Sequence, residues 1–190
     1  YGNNNICNSR IKLFSFSNSI NMKKDAVISV FGQYRYSLSR IWDEDRGKVL
    51  FIMLNPSTAN AEEDDATTIR CINFAKKWGY GGLMIGNIYP YRTKSPKILK
   101  TWIKMRNQRA NFYYINIDYV KRMAEEADLV ICAWGGNYKG TPKWLKELDV
   151  SQHYLELCKD SLTPKHPLGN LSKDLKPKRF LRIPYSRITN

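Results

Sequence analysis

The sequence predicts an α/β domain of three layers, α/β/α, built on a four-stranded, mainly parallel sheet with a β-hairpin added at its N-terminal side. Three observations predict it. Apolar runs of strand length alternate with helical patterns from Val49 onward, and such alternation implies parallel strands covered by helices on both faces. Residues 27–31 and 34–42 flank Gly32-Gln33, which reads as a hairpin. A chain of 190 residues, 43% of them hydrophobic, suits one core rather than two.

The elements follow in order. Residues 1–21 are rich in Asn and Ser without periodicity and are expected to be a disordered extension. Met22-Lys23-Lys24 reads as a natural start, so the domain is expected over 22–190. After the hairpin, residues 49–54 form an apolar strand that ends in Asn55-Pro56-Ser57-Thr58. Asp64 or Asp65 is placed to cap a helix reaching Trp78, where Gly79, Gly81 and Gly82 stop it. Residues 83–88 are the second strand. A basic stretch covers 92–109, and a helix is expected over 108–127, with Phe112, Ile115, Tyr119, Val120 and Met123 on one side. Strand 129–133, loop Trp134-Gly135-Gly136-Asn137 and a helix over 142–148 come next, with Pro142 in the first helical turn. Residues 154–158 read as the last strand, before a tail rich in Pro, Gly and Lys.

Charge narrows the function. Lys and Arg number 31 against 17 Asp and Glu, a formal net charge of +14. That excess points to a polyanionic partner, nucleic acid ahead of an anionic membrane surface. No apolar run is long enough for a transmembrane helix. Cys7, Cys71, Cys132 and Cys158 are widely spaced and form no C-x-x-C pair. Core thiols in a reduced, cytoplasmic monomer are therefore expected, with no metal or other cofactor.

The strand ends carry the candidate site. In an α/β sheet, ligands gather at the carboxyl ends of the parallel strands. Asn55 ends the first such strand, Asn87 the second and Trp134-Gly135 the third, while His166-Pro167 follows the fourth. Asn offers a donor and an acceptor, and His a donor to a carbonyl or a developing anion. Taken singly, each has a plainer explanation: Asn-Pro is a turn dipeptide, Asn87 a strand cap, His166 a surface residue.

Several stretches carry a resemblance. These are Met53-Leu54-Asn55-Pro56-Ser57-Thr58-Ala59, Arg70, Phe74-Ala75-Lys76-Lys77-Trp78-Gly79-Tyr80-Gly81-Gly82-Leu83, Ala133-Trp134-Gly135 and His166-Pro167-Leu168. Together they resemble a bacterial and phage family of domains of unknown function, number sixteen forty-three, over about residues 34–168. More distantly, the order of the strand-end motifs resembles the uracil-DNA glycosylase superfamily. That resemblance implies a uracil-DNA glycosylase-like sheet. It implies that Asn55-Pro56 positions water, that Asn87 reads the base, and that His166 contacts a base carbonyl. Leu168 departs from it, standing where the superfamily usually has a Ser that contacts phosphate. Asn55 departs too, since the most active branch has Asp there, which leaves room for a base other than uracil.

What the resemblance implies is hydrolysis of an N-glycosidic bond in DNA, duplex or single-stranded. Such an enzyme extrudes the nucleotide, holds the base edge, stabilises the departing anion and directs a water to the sugar carbon. Asn55 and His166 are the expected catalytic residues, with Asp65 (or Asp64) as a carboxylate near the water. Helix capping is the competing account of that acidic run. Pro56, Ser57, Asn87, Tyr89 and Trp134 are expected around the base, with Tyr89, Phe74 or Trp134 stacking on it. Two basic groups are expected on phosphates: Arg92, Lys94, Lys97, Lys100, Lys104, Arg106 and Arg109, then Lys165, Lys173, Lys176, Lys178, Arg179, Arg182 and Arg187. DNA repair and phage defence are both open as settings. Two competing classes are a non-catalytic nucleic-acid-binding module of the same fold and an enzyme acting on free nucleotides. The basic surface speaks against the last.

Overall fold

A computed structural model describes residues 22–105, 110–159 and 163–179. One seven-stranded sheet organises them, in the order β1-β2-β4-β3-β5-β6-β7. The strands are β1 (Lys23–Ile28), β2 (Arg35–Ile41), β3 (Lys48–Met53), β4 (Gly82–Asn87), β5 (Leu129–Cys132), β6 (Gln152–Tyr154) and β7 (Lys178–Arg179). The helices are α1 (Ala66–Lys77), α2 (Pro96–Lys104) and α3 (Ala110–Glu126).

This corrects the expectation of a four-stranded, mainly parallel sheet. The sheet is mixed: β3 pairs in parallel with both β4 and β5, and β5 with β6, but β1–β2, β2–β4 and β6–β7 are antiparallel. The hairpin is not an appendage. Leu38 and Arg40 of β2 pair with Ile85 and Leu83 of β4, so the hairpin extends the same sheet.

The central strands are continuous apolar runs because both of their faces are covered. Val49, Phe51 and Met53 face a core with Leu83, Ile85, Leu129, Ile131 and the α1 residues Cys71, Ile72, Phe74 and Ala75. Leu50 and Ile52 face the other core, with Met84, Val130, Cys132, Trp102 of α2, and Val120 and Met123 of α3. Each fully buried aliphatic side chain here contributes roughly 1.5–3 kcal/mol. Gly86 is needed on the second face, since a Cβ there would lie 3.0 Å from Val120 and 3.1 Å from Met123.

Local signals set the helix ends. Asp65 is the N-cap of α1 and accepts from the Thr68 N–H and hydroxyl. Lys76 and Lys77 stand in its last turn, where cations suit the helix dipole. Gly79, at φ 84°, then reverses the chain in a conformation that favours glycine.

Five elements differ from the sequence reading. The first hairpin strand runs over Lys23–Ile28 rather than 27–31, so Val30 and Phe31 fall in the turn. The basic stretch after Arg92 holds α2, capped by Ser95 with Pro96 in its first turn. The helix expected over 142–148 is a short 3₁₀ turn, Lys143–Glu147. The last parallel strand lies earlier than expected, at Gln152–Tyr154, and Leu157 instead bridges to Pro164. The basic tail contains β7, paired with β6. The extension at residues 1–21, with Cys7, lies outside the described residues, as do Arg106, Arg109, Arg182 and Arg187.

Candidate functional site

The carboxyl ends of β3 and β5 open on a cleft of about 780 Å³, lined by residues 54–55, 93–96 and 134–138, by Lys165, His166 and Gly169, and by one side of α2. Asn55, Trp134 and His166 all line it, as do Lys94, Lys100 and Lys165.

Asn55 is held by its amide nitrogen. Nδ2 donates to the carbonyls of Thr93 at 2.8 Å and Pro56 at 3.0 Å, with Tyr91 O at 3.4 Å. Three surrounding acceptors fix which end of the amide is the NH2 group. Asn55 is half-buried, and its Oδ1 is left as an acceptor for whatever occupies the cleft. Pro56 itself is buried, and its carbonyl also accepts from Thr93 N–H at 3.0 Å, tying the strand end to the α2 approach. Neither Pro56 nor Ser57 reaches the cleft lining.

His166 is fixed in the complementary sense. Its Nδ1 accepts the Leu168 N–H at 3.2 Å, which assigns the ring proton of the neutral form to Nε2. Burial lowers its pKa from the ordinary value, while the Asp65 carboxylate pulls the other way. The result is a neutral imidazole that donates through Nε2. Gly135, at φ 79°, makes room for it: a Cβ at that position would lie 3.3 Å from the His166 Cβ.

The other expected residues divide. Trp134 forms a cleft wall but is almost wholly buried, edge-on to Tyr138. Tyr89 packs edge-on to Trp102 and Tyr138 inside one core, and Phe74 lies in the other, so neither lines the cleft. Asn87 ends its strand as expected but faces away. Side chains alternate along a strand, and Asn87 falls on the face of Leu83 and Ile85, whereas α2 closes the cleft from the opposite side. Its Oδ1 accepts from buried Arg35 at 3.2 Å, and its backbone carbonyl accepts from Asn116 at 2.8 Å. Burial draws the Arg35 pKa down to about 10, with Asp65 raising it and the nearby Arg92 and Arg40 lowering it further.

The carboxylates are structural. Asp65 caps α1, in line with the competing account. Asp64 pairs with the buried Arg40 at 2.7 Å and with Lys24 at 3.0 Å. No acidic side chain lines the cleft among the described residues.

The basic residues are likewise sorted by their partners. Arg92 is spent on the carbonyls of Gly32 and Thr58, and Lys165 pairs with Glu156 at 2.8 Å. Lys94, Lys97 and Lys100 are exposed along α2 and its approach. Lys178, opposite Tyr154 at the end of β6, and Arg179 are exposed too. Lys173 is exposed beside α1, where it borders a small depression with Arg70 and Lys77.

Sequence reasoning missed Tyr138, Thr93, Ser95 and Asn137 in the lining. Ser95-Pro96 was a readable helix start, while Tyr138 had no signal beyond its nearness to the Trp134 loop. Of the cysteines, Cys71 and Cys132 are buried core thiols, and burial raises both far above the ordinary range. Cys158 instead lines the cleft. Among the described residues no cluster of His, Cys, Asp and Glu is built to hold a metal, and no helix is long and apolar enough to cross a membrane.

A family model described as "Protein of unknown function (DUF1643)" matches residues 35–168, well over half of the chain. The chain belongs to the DUF1643 family. No curated protein and no solved structure matches it. The DUF1643 match starts at the first residue of β2 and ends two residues past His166, so it takes in every cleft residue except Gly169. It leaves out β1, β7 and the basic segment 173–179.

Proposed function

We propose that the protein is a DNA glycosylase-like enzyme that hydrolyses the N-glycosidic bond of a uracil-like or otherwise modified base. One observation carries the reading: an Asn55 amide oxygen locked as an acceptor and a His166 Nε2–H locked as a donor line one cleft. The four mutually parallel strands β4, β3, β5 and β6, whose ends lead to Asn87, Asn55, Trp134 and the His166 loop, support a uracil-DNA glycosylase-like core.

In this reading the extruded base enters the cleft beside Tyr138. His166 donates to a base carbonyl and stabilises the charge that builds there as the glycosidic bond breaks. Asn55 Oδ1 orients a water toward the sugar carbon. The bonding pair leaves with the base, the water oxygen bonds the sugar carbon, and the water proton passes to the base or to solvent. Lys94 and Lys100 meet the flanking phosphates. The product is an abasic site in an unbroken strand.

The lack of a carboxylate among the described lining residues favours one second reading, a nucleic-acid-binding module that does no chemistry. A single assay separates the two. Single- and double-stranded oligonucleotides, each carrying one modified base, are incubated with the protein and then treated with alkali. Wild-type protein should give an alkali-labile site with at least one base. Asn55→Ala should abolish that product while leaving binding nearly intact, because affinity comes mainly from phosphate contacts. His166→Ala should lower the rate by roughly 100–1,000-fold, as loss of one such donor does. Binding without product from any base establishes the second reading.

A further inference from the structure

The sheet edge that carries the cleft also presents two side chains that the core does not use. Val30 and Phe31, at the tip of the β1–β2 turn, are 96% and 89% exposed. Single exposed apolar residues are ordinary, but two neighbours on one tip leave nearly all their apolar surface in water.

The tip is held firmly. Gly32 N–H donates to Ser29 O at 2.8 Å, Ser29 N–H to Tyr34 O at 2.9 Å, and Tyr34 N–H to the Ser29 hydroxyl at 3.1 Å. Arg92 clamps it from outside, through its guanidinium to Gly32 O at 3.0 Å and its N–H to Gln33 O at 2.9 Å. Behind it, Tyr34 stacks on Phe112 with ring centroids 4.4 Å apart.

Topology sets its position. β2 runs antiparallel to β4, so β2 begins where β4 ends. Tyr34 bridges Tyr91, and Arg35 N–H donates to Pro90 O at 3.0 Å. The chain that clamps the tip at Arg92 continues directly into Thr93, Lys94, Ser95 and Pro96 of the cleft wall. An apolar point, a row of lysines and a polar cleft thus share one edge.

We propose that Val30 and Phe31 form a wedge that enters the base stack of duplex DNA lying across this edge and turns a nucleotide toward the cleft. Apolar side chains inserted between base steps unstack them and kink the duplex. Extrusion forfeits stacking and pairing, and a preformed apolar tip replaces part of what is forfeited. The proposal rests on the nucleic-acid reading above and extends it, since only a double strand offers a continuous stack to open. Apolar residues among lysines also suit an anionic bilayer, but the polar cleft on the same edge favours a base-bearing ligand.

The test compares the full chain with a double variant, Val30→Ser and Phe31→Ser, whose fold is checked by an unchanged melting temperature. Each is titrated against one duplex and its single strand, both carrying a fluorescent adenine analogue that brightens on unstacking. Wild-type protein should brighten the duplex. The double variant should not, and should bind duplex about tenfold more weakly with single-strand affinity unchanged. Equal duplex affinity and equal brightening by the variant overturn the wedge. So does sedimentation with phosphatidylserine vesicles that the variant loses while it keeps wild-type duplex binding. Wild-type protein that binds neither form at low salt removes the nucleic-acid reading itself, and the wedge falls with it. That result is distinct from binding that persists without any effect of the tip.

Discussion

Asn55→Asp is the most informative single substitution, because the structure predicts harm where analogy with an Asp-bearing site predicts gain. In the native protein Nδ2 donates at 2.8 and 3.0 Å to two carbonyls, with a third at 3.4 Å. A carboxylate puts an oxygen in that position, facing three acceptors. Two good hydrogen bonds disappear, each worth about 0.5–1.5 kcal/mol net, and a repulsion is added. Because the site is half-buried, solvent screens part of that repulsion. The total loss of stability should be about 2–4 kcal/mol at pH 8. Asn55→Ala loses the same bonds without the repulsion, at about 1–3 kcal/mol. Urea unfolding of the three proteins at pH 8 and pH 4 measures both values. The gap between Asp and Ala should narrow at pH 4, where a protonated acid can again donate to a carbonyl. Asn55→Asp that is no less stable than Asn55→Ala at pH 8 would refute the orientation assigned to the amide, and with it the free Oδ1.

Three further outcomes are expected. Arg40→Ala should cost about 2–4 kcal/mol in urea unfolding, since it leaves Asp64 paired with Lys24 alone and removes the donor to the Asn60 carbonyl; Arg40→Lys, lacking the planar fork, should recover little. Lys100→Glu and Lys178→Glu should each weaken DNA binding and flatten the plot of log affinity against log salt by about 0.9 or more for every phosphate no longer neutralised; a wild-type affinity indifferent to salt removes the electrostatic account. Because burial lowers the His166 pKa below its ordinary 6.5, the folded state favours the neutral ring. Its contribution to stability is complete above pH 6.5 and is lost as pH falls through the lowered folded value. Melting temperatures of wild type and His166→Gln should therefore converge as pH is lowered from 7 toward 5.

The layers of the sheet were legible because apolar runs and helix patterns alternate, and Asn55 and Trp134 follow strand ends on the cleft as expected, whereas His166 lines it from a loop well past the end of β6 at Tyr154. What escaped the sequence was set by partners distant along the chain. Asn87 was placed at the right strand end but on the wrong face, and what occupies that face is Arg35, contributed by an antiparallel strand 52 residues earlier. α2 was hidden by its lysines, although Leu99, Trp102 and Ile103 follow helical spacing and pack inward. β7 has two residues and exists through its pairing with β6 alone. No local propensity announces a strand of that length. Arg92 looked like a phosphate ligand for the same reason: the carbonyls of Gly32 and Thr58 that occupy it come from elsewhere.

The allocation of carboxylates has a chemical consequence. Asp64 is committed to Arg40 and Lys24, Asp65 to the first turn of α1, and Glu156 to Lys165. The cleft holds lysines, a neutral donor at His166 and an acceptor at Asn55, with no acidic residue among the described lining. Such a site does little to deprotonate a water and much to stabilise an anion. Catalysis, on the reading proposed above, therefore lies with the leaving base rather than with the nucleophile. Excision should quicken as the base becomes a better anion. For a series of bases of one shape and increasing N–H acidity, each unit of leaving-group pKa should change the single-turnover rate by up to about tenfold. His166→Ala should steepen that dependence, because the remaining site stabilises the charge less and leaves more of the burden on the base. Rates measured on duplexes that differ only in the ring substituent of one base decide it. A flat dependence in the wild-type protein would mean that bond breaking does not control the rate, and would return the search for a base or nucleophile to the cleft lysines.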